Sequence, residues 1–156
     1  MIGTDSVSSE EVHINAPAEL VWQVILDFDK YPLWNDFCPQ ISGELELGAA
    51  VSMQVDLGDG LQSQTEYISR IEPPHLIAWA MENKPGDPVH AERLQYVRPV
   101  DECSCTYLTV DEFGGELMAP MIEQMGAAVE SGFNRCAQGL KRRAEALYAE
   151  SSADSQ

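Results

Sequence analysis

The sequence predicts an α+β fold in which one antiparallel sheet packs against a long C-terminal helix. Three observations predict it. From Ile41 to Phe113 the chain reads as consecutive strands with short turns between them, an order that pairs strands antiparallel. From Ala119 to Ala149 the residues Met121, Ile122, Met125, Val129, Phe133, Cys136, Leu140, Ala144 and Leu147 recur at steps of three and four, one apolar stripe on a helix. At 1.5 Å per residue that helix is about 45 Å long, more than a small domain needs to seal its core. A single strand and a helical segment precede the sheet.

Taken in order, residues 1–8 are polar and expected to fray. Glu10 to Asn15 alternates, with Val12 and Ile14 on one face and Glu11, His13 and Asn15 on the other: a half-buried strand with a surface histidine. Pro17 opens a helix whose apolar face is Leu20, Val21, Val24, Ile25 and Phe28. Asp27 to Phe37 carries Phe28, Tyr31, Trp34 and Phe37 at spacings of three, and Tyr31-Pro32 keeps any second helix short. These aromatics either pin two short helices onto a core or rim a pocket. The strands that follow are Val51–Leu57, Gln62–Ile71, Leu76–Met81, Val89–Arg98 and Cys103–Phe113, after a first one opening near Ile41. Gly58-Asp-Gly60, Glu72–His75, Lys84–Pro88 and Pro99–Glu102 are the turns.

In the last helix Pro120 suits the first turn, and Lys141, Arg142 and Arg143 read as cations opposing the dipole near its end. Met118, Met121 and Met125 are either core filler or the lining of a surface that accepts variable shapes. Gly126 and Gly132 cost roughly 1 kcal/mol each in a helix interior, which implies close approach or a bend. Glu150 to Gln156 is a polar tail, so the expected domain is 9–149.

With 156 residues the chain fits one domain with a sizeable core. No apolar run is long enough to span a bilayer, so no integral membrane contact is expected. Residues 1–12 lack the basic and apolar regions of a secretory signal, which predicts a cytoplasmic protein. The net charge of −17, from 26 acidic and 9 basic residues, repels nucleic-acid phosphates and excludes nucleic acid as a partner. Cys38, Cys103, Cys105 and Cys136 have no metal-ligand spacing and are expected to be reduced thiols. No G-x-S-x-G, metal cluster or glycine-rich phosphate loop occurs, so no cofactor, metal or catalytic nucleophile is assigned.

Four phrases carry a resemblance: Ile14-Asn-Ala-Pro-Ala-Glu-Leu-Val-Trp22, Asp27-Phe-Asp-Lys-Tyr-Pro-Leu-Trp-Asn35, Ile71-Glu-Pro-Pro-His-Leu-Ile-Ala-Trp79, and Glu112-Phe-Gly-Gly before the long helix. With this order of elements the chain resembles the helix-grip fold of the START-like (SRPBCC) superfamily, in its bacterial polyketide cyclase/dehydrase and lipid-transport branch. The resemblance implies a curved seven-stranded antiparallel sheet wrapped around the terminal helix, two short helices after strand 1, and an apolar cavity between sheet and helix.

Val51, Met53, Val55 and Leu57 then face the cavity. By analogy with the family's strands so do Ile77, Trp79 and Met81, and on the last pair Arg93, Gln95, Val97, Leu108, Val110 and Glu112. The facing of Gln64 and Glu66 depends on whether a bulge interrupts 62–71. The candidate ligand-binding residues are Trp34, Met53, Val55, Glu66, Trp79, Arg93, Gln95, Glu112, Met121, Met125 and Phe133, with Trp34 at the mouth. A buried charge needs a partner, so Arg93 and Glu112 are expected to pair, either as a structural ion pair or to orient a ligand and move a proton. The leading expectation is a binding module for a hydrophobic or amphipathic, lipid- or polyketide-like molecule. A cyclase or dehydratase on a polyketide-like substrate is the second. A co-chaperone-like module for a protein partner is the third, which a large exposed apolar patch would favour.

Overall fold

Strand alternation carries through to the sheet face by face. The computed structural model describes residues 1–82 and 84–154, with the side chains of 152–154 left aside. Its elements are β1 (Ser6–Ser8), β2 (Val12–Ile14), α1 (Ala18–Leu26), a 3-10 helix (Phe28–Leu33), β3 (Gln40–Gly43), β4 (Ala50–Asp56), β5 (Leu61–Glu72), β6 (Leu76–Ala80), β7 (His90–Asp101), β8 (Ser104–Gly114) and α2 (Met118–Asp154). All pairings are antiparallel, in the order β1-β8-β7-β6-β5-β4-β3. Strands β1 and β2 pair end to end with β8, β1 against 110–112 and β2 against 105–107, so the sheet is seven strands wide. Val51, Met53 and Val55 are buried while Ser52 is exposed, as period two requires.

The expected frayed tail of residues 1–8 is corrected here. Ser6 to Ser8 pair with β8, Val7 is fully buried, and the Met1 amine donates to the Ser8 carbonyl at 2.6 Å and ion-pairs with Glu130. The signal was the lone apolar Val7 in a serine-rich stretch, too short to show alternation. The terminal helix is also longer than its stripe: its 37 residues span about 55 Å and continue through Asp154. Lys141 therefore sits well inside the helix, where its Nζ donates to the His13 carbonyl at 2.7 Å and to Glu145 at 2.8 Å. It ties β2 to α2 rather than opposing the dipole. Residues 155–156 of the expected tail lie outside the described residues.

The stripe on α2 packs as its spacing demands: Ile122, Val129, Phe133, Cys136, Leu140 and Ala144 are buried, while Met121 and Met125 are half-buried. Two helix glycines have a steric reason. A Cβ at Gly132 would overlap the Phe37 ring, and one at Gly139 would overlap the Trp34 carbonyl oxygen. The aromatic segment after α1 can therefore lie directly on the helix backbone. At Gly126 an added Cβ would meet only ordinary contacts. Phe28, Tyr31 and Trp34 stack edge to face in series, and Phe28 meets Trp79 in the same way, which pins the segment to the sheet. Strand β6 is buried on both faces, because Leu76, Ala78 and Leu94 form a small second cluster on the convex side.

Candidate functional site

One residue of hairpin geometry decides which carboxylate faces inward. Strands β7 and β8 turn through Glu102-Cys103, with Asp101 opposite Ser104. Carried up the hairpin, that register would set Arg93 opposite Glu112. A bulge between Pro99 and Asp101 slips the ladder by one residue, and Arg93 stands opposite Asp111 instead. Tyr107, Thr109, Asp111 and Phe113 therefore share the concave face with Arg93, Gln95 and Val97. Glu112 is exposed on the convex face, opposite Glu92 and Ser6. The expected Arg93–Glu112 pair does not form, and Leu108 and Val110 also leave the concave face.

The second bulge, between Ile68 and Arg70, falls after Glu66. Glu66 lies opposite the buried Val51 and so points to the concave side. It lines a cavity of about 490 Å³ at the open end of the grip, with Gln64, Thr65, Met81, Val89, Ala91, Asp111, Phe113 and Met121. Strands β5, β7 and β8, the two ends of the 81–89 connection and the first turn of α2 contribute. Gly115 helps shape the rim, since its φ of +99° and its approach to the Pro88 carbonyl exclude a side chain. The Leu117 N–H then donates to that same carbonyl at 2.8 Å, tying the 84–89 loop to the helix start. A larger hollow, about 590 Å³, lies outside α2 and is lined entirely by polar side chains such as Asp36, Asn134 and Arg142.

The two cavity carboxyl groups are perturbed in the same direction. Burial raises the Glu66 carboxyl to about 8; the neighbouring Asp111 adds to the rise and Arg93 opposes it. Burial raises Asp111 to about 6, again against the pull of Arg93. Neither forms an ion pair among the described residues. At neutral pH the pair therefore holds one proton on Glu66 and one negative charge on Asp111.

Behind this cavity the concave face is packed and polar. The Arg93 guanidinium is 5% exposed; its Nε donates to Thr109 Oγ1 at 2.8 Å and its Nη2 to Cys136 Sγ at 3.5 Å. Its Cζ lies 4.6 Å from the Phe133 ring centroid, 5.4 Å from Phe37 and 5.8 Å from Trp79. Tyr107 Oη donates to Gln95 Oε1 at 2.6 Å. Burial raises the Tyr107 and Tyr31 hydroxyls well above their ordinary value. Among the described residues three buried donors have no acceptor: Trp34 Nε1, Trp79 Nε1 and Gln95 Nε2.

A family profile described as polyketide cyclase / dehydrase and lipid transport matches residues 6–145. The chain belongs to that family. A curated relative in Penicillium oxalicum, "Oxopyrrolidines biosynthesis cluster protein O", is 30% identical over 117 residues, covering 57% of this chain; the match spans 58% of the relative's length. The Zhui aromatase/cyclase from Streptomyces sp. R1128 superposes with a TM-score of 0.71 at 19% identity, over 90% of this chain and 93% of that one. A START superfamily protein from Mycobacterium smegmatis superposes at 0.69 and 18% identity, over 92% and 99%. At these identities the two structures show the shared helix-grip fold.

Within the family fold the expected site residues divide into groups. Glu66 and Met121 line the cavity, and Met125 is half-buried one turn further along α2. Arg93, Gln95, Trp79 and Phe133 are brought together in the packed interior, while Met53 and Val55 sit in the core under β4. Trp34 is buried at the other end of the grip, beside Gly139, Arg142 and Arg143, and does not border this cavity. Glu112 joins neither group. Asp111, Thr109, Tyr107 and Cys136 are the residues that strand alternation missed, and the Val100 bulge is the reason for the three on β8. Among the described residues no helix is long and apolar enough to cross a membrane.

Proposed function

We propose that the protein binds a hydrophobic or amphipathic small molecule in the cavity between β5–β8 and the start of α2. The observation that carries this reading is a 490 Å³ hollow in which Met81, Val89, Ala91, Phe113 and Met121 surround the two carboxyl groups of Glu66 and Asp111. An apolar wall with a few converging polar groups is the usual form of a small-molecule site. The family description and the fold shared with an aromatase/cyclase support the same reading.

The polar groups refine the class of ligand. Among the described residues no basic side chain lines the cavity, and Arg93 is already engaged by Thr109, Cys136 and three rings. A ligand carboxylate would face Asp111 across an apolar space, so the cavity favours an uncharged head carrying hydroxyl or carbonyl groups. Native mass spectrometry of protein purified from its own host tests this. A retained uncharged molecule is expected, and Met121→Trp, which fills the cavity, should release it. Retention unchanged in Met121→Trp would place the ligand elsewhere and overturn the reading.

A further inference from the structure

We infer that the outer side of α2, from Arg135 to Arg143, is a docking groove for a short acidic segment of a partner protein. Ser131 to Ala144 is the longest stretch of the chain without a carboxylate. It carries Arg135, Lys141, Arg142 and Arg143, four of the nine basic residues in a chain of net charge −17. Elsewhere on the chain acidic residues predominate.

The fold makes a groove of that stretch. Gly139 lacks a Cβ, so the Trp34 carbonyl lies against the helix backbone and the 33–36 segment runs beside α2. A hollow of about 290 Å³ between them is walled by Leu33, Trp34, Arg142 and Arg143. It shares Asp36 and Arg142 with the 590 Å³ polar hollow, which Arg135 also lines. Leu33 is 62% exposed, an apolar side chain held in water beside two arginines.

The cations of the groove are not neutralised from within. Lys141 is engaged by Glu145 and the His13 carbonyl. Arg135 donates to the backbone carbonyls of Asp36 and Asp56. Among the described residues Arg135, Arg142 and Arg143 have no carboxylate within 4 Å. Glu130, at the far end of the larger hollow, is paired with the Met1 amine. Among the described residues three guanidinium groups therefore face the single remaining carboxylate of Asp36.

This chemistry selects the partner. A guanidinium fork matches a carboxylate in a bidentate bond, and the exposed leucine suits an apolar side chain between acidic ones. Length selects too. The carboxylate-free stretch is about 21 Å long, and exposed charges act over only about 8–10 Å in physiological salt. A nucleic acid or an anionic bilayer would overrun it and meet the surrounding carboxylates, whereas a few glutamates or aspartates around one apolar residue fit within it. The inference is independent of the cavity reading.

The test is fluorescence anisotropy of a fluorescein-labelled peptide with a leucine between two pairs of glutamates, titrated with the full-length protein. The same peptide with glutamines for glutamates, phosphatidylserine vesicles and poly-uridine RNA are titrated beside it. The acidic peptide is expected to bind about 10-fold or more tighter than its glutamine version, and less tightly as salt rises. Arg142→Glu combined with Arg143→Glu should weaken binding by about 10-fold or more, and Leu33→Ser by about 3-fold. Arg70→Glu combined with Arg98→Glu makes the same change in net charge at exposed sites outside the groove and should leave binding nearly unchanged. Circular dichroism reports whether each variant folds, and the peptide comparison on wild type stands if one does not. No binding of the acidic peptide, equal binding of the two peptides, or equal losses in the two double variants would overturn the inference. Tighter binding of vesicles or RNA than of the peptide would overturn it in favour of a membrane or a nucleic acid. A dimer in sedimentation velocity that Arg142→Glu with Arg143→Glu dissociates would overturn it in favour of a second copy of this chain.

Discussion

Arg93 and Asp111 are cross-strand partners on the same concave face, yet they sit in different surroundings. The guanidinium is enclosed by Phe37, Trp79 and Phe133 and anchored by Thr109 and Cys136, with no carboxylate within 4 Å among the described residues. The carboxylate opens onto a cavity that it shares with Glu66. The packed region has surplus donors, since Trp34, Trp79 and Gln95 each keep an N–H with no acceptor among the described residues. The cavity has surplus acceptors. Side by side, the two regions show how one sheet separates structure from chemistry. Where α2 packs closely, through Gly132 and Gly139, polar groups are locked. Where its first turn lifts away at Met121, they remain free to titrate.

The largest effect expected of this difference is on packing. Phe133 is 1% exposed and meets Phe37 edge to face with ring centroids 5.5 Å apart. Phe133→Ala should cost about 3–5 kcal/mol in chemical denaturation, the range for a large side chain removed from a filled core. A cost below about 1 kcal/mol would show that the packed region is hollow, and the comparison would fail.

The next effect appears in the pH dependence of stability. Burial raises Glu66 from 4.5 to about 8 in the folded state, so the folded protein holds that proton more tightly than the unfolded chain. Its contribution is fully present below about 4.5 and is lost as pH rises through about 8. Asp111, raised to about 6, acts in the same direction at lower pH. Wild type should therefore lose stability from pH 5 to 9. Glu66→Gln should flatten that slope and be the more stable protein at pH 9, by about 2 kcal/mol once solvent screening is allowed for. Parallel unfolding curves for the two proteins across this range would mean that the cavity does not perturb Glu66.

A smaller effect connects the two regions. Arg93 opposes the rise of both carboxyls. Arg93→Met removes that attraction, so Asp111 should titrate about one unit higher, near 7, by carbon-detected NMR. An unmoved Asp111 would mean that the regions are electrostatically independent.

Much of this was legible in the sequence, and the failures are local. The α2 stripe, the alternation of β4 and the run of antiparallel strands each followed from periodicity, because burial of one face selects residues at the repeat of the element. The inward placement of Arg93 and Gln95 followed in the same way once the family resemblance set the phase of β7. The phase of β8 was not legible. Leu108, Val110 and Glu112 alternate as plausibly as Tyr107, Thr109 and Asp111, and only the bulge at Val100 decides between them. A single inserted residue exchanges the two faces of a strand without altering its composition. Trp34 was misplaced for another reason: an aromatic just past a 3-10 segment has no repeat from which to read its direction. Val7 was missed because three residues are too few to alternate.

The smallest effect is also the most discriminating. Met121 is half-buried on the first turn of α2 and lines the cavity, about three helical turns short of the packed Phe133 on the same stripe but chemically equivalent as an apolar residue. If the helix start truly stands off from the sheet, Met121→Ala enlarges a space that already exists instead of opening a new one. The neighbours lose few contacts, and the cost should stay below about 1 kcal/mol, against the 2–5 kcal/mol that the same truncation brings in a filled core. Affinity for the molecule retained in native mass spectrometry should fall nonetheless, because the lost side chain forms one wall of the cavity. Urea unfolding and a binding titration on this one variant separate stability from binding. A loss of several kcal/mol would mean that the helix start is packed as tightly as its middle. The separation between a locked interior and a titrating cavity would then disappear.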